Sequence, residues 1–132
     1  MKIVVIDGQG GRMGSLFIEK YLEKRGGDEL YAIGTNSTAT AAMLKAGAQY
    51  GATGENPVIV CCKDADYIVG PFGILAADSL LGEVTPAMAV AVGQSPAQKI
   101  LLPVNRCLTY VVGVGSYNMG ELVDMAVQKI LR

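Results

Sequence analysis

The chain has 132 residues, enough for one domain that buries roughly two-thirds of the surface its unfolded form exposes. Hydrophobic residues make up 51% and charged ones 17%, which excludes a disordered chain and leaves apolar surface over for another subunit. Lys and Arg total 11 against 12 acids with no basic run, so the electrostatic footprint of a nucleic-acid binder is missing.

The first predicted element is a strand at Ile3-Val4-Val5-Ile6, which feeds the loop Asp7-Gly8-Gln9-Gly10-Gly11-Arg12-Met13-Gly14. An amphipathic helix follows from Ser15 to about Arg25, ended by Gly26-Gly27. Glu29 to Gly34 reads as the second strand, and Asn36 or Ser37 caps a helix from Thr38 to Ala46. Gly51 to Gly54 reads as a glycine-rich connection. Pro57 to Cys62 is apolar and fits either strand or buried helix, with Asn56 as cap and Pro57 in the first turn favouring helix.

Asp66 to Gly70 reads as a buried strand, and Phe72 to Leu81 as a helix closed by Gly82. Thr85-Pro86 opens another helix, to about Val92. Lys99 to Leu102 and Thr109 to Val112 are predicted strands, and Asn118 to Leu131 is the terminal helix. Strands alternating with helices predict a mostly parallel sheet of about five strands, covered on both faces: an α/β, Rossmann-like three-layer sandwich spanning residues 1–132.

No apolar run reaches the ~20 residues that span a bilayer. Met1-Lys2 leads straight into a strand, leaving no room for a signal peptide, so a cytoplasmic protein is expected. The sequence contains no His, which removes the commonest general base near neutral pH and the usual Ser-His and Cys-His pairs. Cys61, Cys62 and Cys107 lack metal-ligand spacing, so no metal site is expected and the thiols read as free.

Strand, glycine loop and helix in that order form an anion seat. Glycines let the backbone turn tightly, and a helix N-terminus offers unpaired N–H groups at the positive end of its dipole. The seat predicts a small phosphate-containing ligand, contacted by Gly8, Gln9, Gly10, Gly11, Arg12, Met13 and Gly14. A second reading of the same glycines is a tight turn that needs them for packing alone. Asp7 places a carboxylate at this loop, where it turns away, caps the helix or holds a cation. The second strand ends in Gly34-Thr35-Asn36-Ser37, without the acid that would bind an adenosine ribose; Thr35, Asn36 and Ser37 offer hydrogen bonds to a 2′-phosphate instead.

Two further loops fall at the carboxyl edge of the sheet, where open α/β folds bind ligands. Gly70, Pro71 and Gly73 offer a second set of backbone N–H groups before a predicted helix. Asn105, Arg106 and Cys107 bring amide, guanidinium and thiol together after a buried strand, and Arg106 has the fork geometry to grip a phosphate or carboxylate. Asp7 and Cys107 are the candidate catalytic groups, the thiol because an adjacent Arg lowers its pKa. The bland reading of Cys107 is a small packed hydrophobe.

The run Gly10-Gly11-Arg12-Met13-Gly14 resembles the nucleotide loop of the dihydrodipicolinate reductase family over about ten residues. That resemblance implies NAD or NADP, with Gly8, Gly11, Arg12, Met13 and Gly14 near the pyrophosphate. The family's His- and Lys-bearing catalytic domain has no counterpart, so the reductase activity is not implied. The whole chain is similar to a family of short bacterial proteins described as a domain of unknown function. The match rests on Asp7-Gly8-Gln9-Gly10-Gly11, on Gly34 to Ser37 with Ala42 to Ala48, and on Lys99 to Cys107. It implies a stand-alone domain and no particular activity.

Three functions fit. The first is a nucleotide-binding module without chemistry of its own, with NAD(P) as the leading ligand. The second is a small enzyme on a phosphorylated or nucleotide substrate, with Arg12 and Arg106 as anion clamps and Asp7 or Cys107 as the reactive group. The third is a structural or partner-binding subunit. The stretch Pro86 to Gly93 and the terminal helix are more apolar than a surface helix requires, so each is either sandwiched in the core or faces another subunit, and a homodimer is expected.

Overall fold

The computed structural model describes residues 1–104 and 108–132. Its centre is β1 (Lys2–Asp7), buried from Ile3 onward, with β2 (Glu29–Gly34) on one side and β4 (Tyr67–Pro71) on the other. β3 (Tyr50–Thr53) extends the sheet beyond β2 and β5 (Gln98–Leu102) beyond β4. The order is therefore β3-β2-β1-β4-β5, with every pairing parallel.

Alternate residues of β1 serve opposite faces, as the strand period dictates. Ile3 and Val5 join Phe17, Ile18 and Tyr21 of α1 (Arg12–Lys24), Met43 of α2 (Ser37–Lys45), and Val123 and Val127 of α5 (Met119–Leu131). Val4 and Ile6 join Val58 of α3 (Glu55–Cys61) and Met88 and Val92 of α4 (Pro86–Gln94). The chain changes sides between β3 and β4, so the topological switch point falls at the carboxyl ends of the adjacent strands β1 and β4.

Most expected elements form, with shifted ends. The ambiguous run from Pro57 resolves as helix, within α3 (Glu55–Cys61), entered through Gly54 and capped at Cys62. Three expectations fail. The glycine-rich connection is the edge strand β3, where Tyr50 stacks on Tyr31 of β2 at 4.7 Å between ring centroids. Phe72 to Leu81 is not a helix but a short 3-10 turn, Phe72–Leu75, followed by a compact loop. In that loop Asp78, Leu80, Leu81 and Gly82 all take positive φ, while Leu80 turns into the core and Ser79 Oγ donates to the Gly73 carbonyl. Thr109 to Val112 is irregular backbone rather than strand.

Candidate functional site

The glycine loop sits where the sequence places it, between β1 and α1, but the N–H groups of Gly8, Gln9 and Gly14 are taken by the protein's own carboxylates. Asp7, only 4% exposed, accepts from Gly8 N–H and from Gly14 N–H, both at 2.8 Å. Gly14 is the third residue of α1, so Asp7 supplies from the strand the cap that Gly11, at the capping position, cannot. Of the readings open for Asp7, the structure takes helix capping. Burial pushes its carboxyl up, against the opposing pull of the Gly14 and Gly8 N–H groups.

The second carboxylate is Glu83, which the sequence does not single out. It comes from the end of the loop 76–84. Its Oε1 accepts from Gln9 N–H at 2.9 Å, Thr35 Oγ at 2.6 Å and Asn36 Nδ2 at 2.9 Å. Asn36 has no other orientation: its Oδ1 accepts from Ala39 N–H and caps α2, which leaves Nδ2 to face Glu83 and the Gln9 carbonyl. Burial opposes the charge on Glu83, but the Thr35 hydroxyl, Gln9 N–H and Asn36 amide outweigh it and hold the carboxyl below its ordinary range. The sequence puts no acid at the end of β2, yet the fold delivers one there from another loop.

The glycines divide by what surrounds them. At Gly11 φ is +70°, and a Cβ would lie 2.8 Å from the Ala39 backbone, so packing of α1 on α2 requires glycine. At Gly8 a Cβ would meet Thr35 Oγ1, Leu80 Cδ1 and Glu83 Oε1 within 3 Å, because the loop 76–84 lies directly over it. A Cβ on Gly14 would strike the Met43 sulfur. Gly10 differs: it is exposed and a Cβ there meets nothing within 4 Å. Packing accounts for three of these glycines and leaves Gly10 unexplained.

The other expected contacts are scattered in their roles. Gln9 and Arg12 are exposed, and among the described residues Arg12 forms no salt bridge, whereas Met13 is buried in the core. Ser37 opens α2 at the surface. Gly70, Pro71 and Gly73 are buried; the Gly73 carbonyl is bound by Ser79, and no helix of useful length follows to direct N–H groups at a ligand. Asn105, Arg106 and Cys107 lie outside the described residues. Cys62 is buried, and burial pushes its thiol up to about 11, the behaviour of a packed, unreactive cysteine. Among the described residues no three His, Cys, Asp or Glu side chains are grouped to hold a metal ion, and no helix is long and apolar enough to cross a membrane.

An all-parallel five-stranded sheet in this order, helices on both faces and a glycine loop between β1 and α1 define a Rossmann-like α/β fold. The chain belongs to the family described as Domain of unknown function (DUF3842), which it matches over residues 2–132. No curated protein matches it. Among solved structures it is similar to a dodecameric FMN-dependent UbiX-like decarboxylase from Escherichia coli O157:H7. The identity is 11% and the TM-score 0.44, with 98% of this chain and 92% of that one covered.

Proposed function

We propose that the chain is a single-domain, cytoplasmic binding module for a nucleotide or other phosphate-bearing ligand, NAD(P) being the leading candidate, and that it works as a homo-oligomer. The observation that carries this reading is the convergence of three donors, from Gln9, Thr35 and Asn36, on one anionic oxygen. A main-chain N–H, a hydroxyl and an amide N–H arranged around one point match a phosphate oxygen as well as a carboxylate. In the free protein Glu83 fills that place. Ligand phosphate takes it by displacing the Glu83 side chain, with Gly10 N–H and the Arg12 guanidinium as additional partners at the rim.

A thermal-shift screen with NAD, NADP, AMP, ATP, FMN, a sugar phosphate and inorganic phosphate tests the reading. A ligand at a hundred times its dissociation constant adds about 2.7 kcal/mol to the folded state. In a domain of this size that raises Tm by about 5–15 °C. Gly10→Asp puts a charge beside the seat at an open, exposed position, so it should keep the parent Tm and abolish the shift. A panel with no shift, or a shift indifferent to Gly10→Asp, contradicts the proposal.

A further inference from the structure

The segment after β5 carries the pattern of a strand without forming one. Residues 108–117, Leu-Thr-Tyr-Val-Val-Gly-Val-Gly-Ser-Tyr, hold no charge and are rich in β-branched and aromatic residues, the composition of a strand. In the structure they form no strand. Leu108, Tyr110 and Val112 stand fully or largely in water, at 111%, 79% and 83% of full exposure. The spacing of these three by two residues is the period of a strand with one apolar face.

Beside this segment lies an open sheet edge. β5 pairs only with β4, and among the described residues no strand covers its other side. Between β5, α5 and residues 113–117 runs a cleft of about 300 Å³, lined by Ile100, Leu102, Val114, Tyr117 and Met125 among others and, among the described residues, by no charged side chain. An exposed apolar edge strand in water is a template for pairing with another chain.

We propose that residues 108–112 pair with the β5 edge of a second copy of this chain, in a two-fold dimer in which each copy fills the other's cleft. Area supports that occupant. Leu108, Tyr110, Val112, Val114, Tyr117 and Met125 leave roughly 700 Å² in water, close to the roughly 800 Å² that each partner of a stable complex buries. Charge supports it too, since the segment and the described lining of the cleft are both neutral and a chain of net charge −1 scarcely repels its own copy. The exchange is self-complementary, as two-fold symmetry requires. It also relocates the interface expected from the apolar helices. Most apolar residues of α5 are buried or half-buried against the core, and α4 exposes only Val90 among its large apolar side chains.

This inference does not depend on the ligand, and its test reads mass rather than binding. Sedimentation or light scattering at 1–100 µM is expected to give twice the chain mass. Val112→Glu and Tyr110→Glu, at exposed positions that leave the core intact, should each give the single-chain mass with an unchanged circular dichroism spectrum. Val90→Glu on α4 should leave the dimer intact. Hydrogen exchange should show amides of residues 98–102 and 110–112 at least tenfold better protected in the parent than in Val112→Glu. A parent that stays a monomer at 100 µM overturns the proposal. So does a dimer that survives both substitutions in the segment, or one that dissociates on Val90→Glu alone.

Discussion

Removing Glu83 should weaken the protein and strengthen its ligand binding by the same amount. In Glu83→Ala the three donors on Oε1, at 2.6–2.9 Å, lose their acceptor. Hydrogen bonds to a charged group contribute about 1.5–3 kcal/mol each when buried. This carboxylate is partly open to water, and the freed donors regain solvent, so the net loss is about 1–2 kcal/mol for the set. That corresponds to a fall in Tm of about 3–8 °C. A phosphate ligand that must first displace Glu83 forfeits the same 1–2 kcal/mol in the parent, so its dissociation constant should drop about 5- to 30-fold in the variant. Denaturation curves without ligand and calorimetric titration with the best ligand of the screen supply the two numbers. A stability loss with unchanged affinity would refute the shared seat. A loss of affinity would show that Glu83 contacts the ligand, as an acid on a ribose would, instead of occupying the phosphate position.

Other expectations follow from the same geometry. Asp7→Asn keeps one acceptor but turns an N–H₂ group toward the second N–H at the start of α1, so urea titration should show a loss of about 1–2 kcal/mol. Gly11→Ala forces an unfavourable φ and a clash with the Ala39 backbone, so it should cost more than 2 kcal/mol, while Gly10→Ala stays within about 0.5 kcal/mol of the parent. Because the Glu83 carboxyl is held below its ordinary 4.5, its stabilisation is complete above that pH and lost as pH falls through its folded value. The Tm gap between the parent and Glu83→Ala should therefore be constant from pH 6 to 8 and shrink below about pH 4. Asp7, pushed up by burial, acts in the opposite sense, favouring the folded state as it takes up a proton.

What the sequence reveals and what it hides divide along a physical line. The β1–loop–α1 unit and β2 are legible because apolar period, glycines and helix start lie within a few residues of one another. The terminal helix announces itself through Asn118, whose side chain and that of Glu121 form a reciprocal cap. β3 is hidden because its residues are mostly exposed and include Gly51; only the ladder to β2 makes it a strand. Phe72 to Leu81 reads as helix from composition, yet burial of Leu80 and the Ser79–Gly73 bond draw the loop 76–84 over Gly8. Glu83 is illegible for the same reason: its partners Thr35 and Asn36 lie nearly fifty residues earlier, and a lone acid beside a glycine gives no local sign of them. The predicted strand at 109–112 fails because, among the described residues, no strand pairs with it.

The Gln9 amide is the most direct probe of the central claim, because it donates to Glu83 in the free protein and to ligand phosphate in the proposed complex. Nitrogen-15 spectra recorded while NADP, NAD or inorganic phosphate is added report on it residue by residue. The account predicts saturable shifts of the Gln9 and Gly10 amides and of the Asn36 side-chain NH₂, all with one dissociation constant. Saturation by any of these ligands with those three signals unmoved would contradict it.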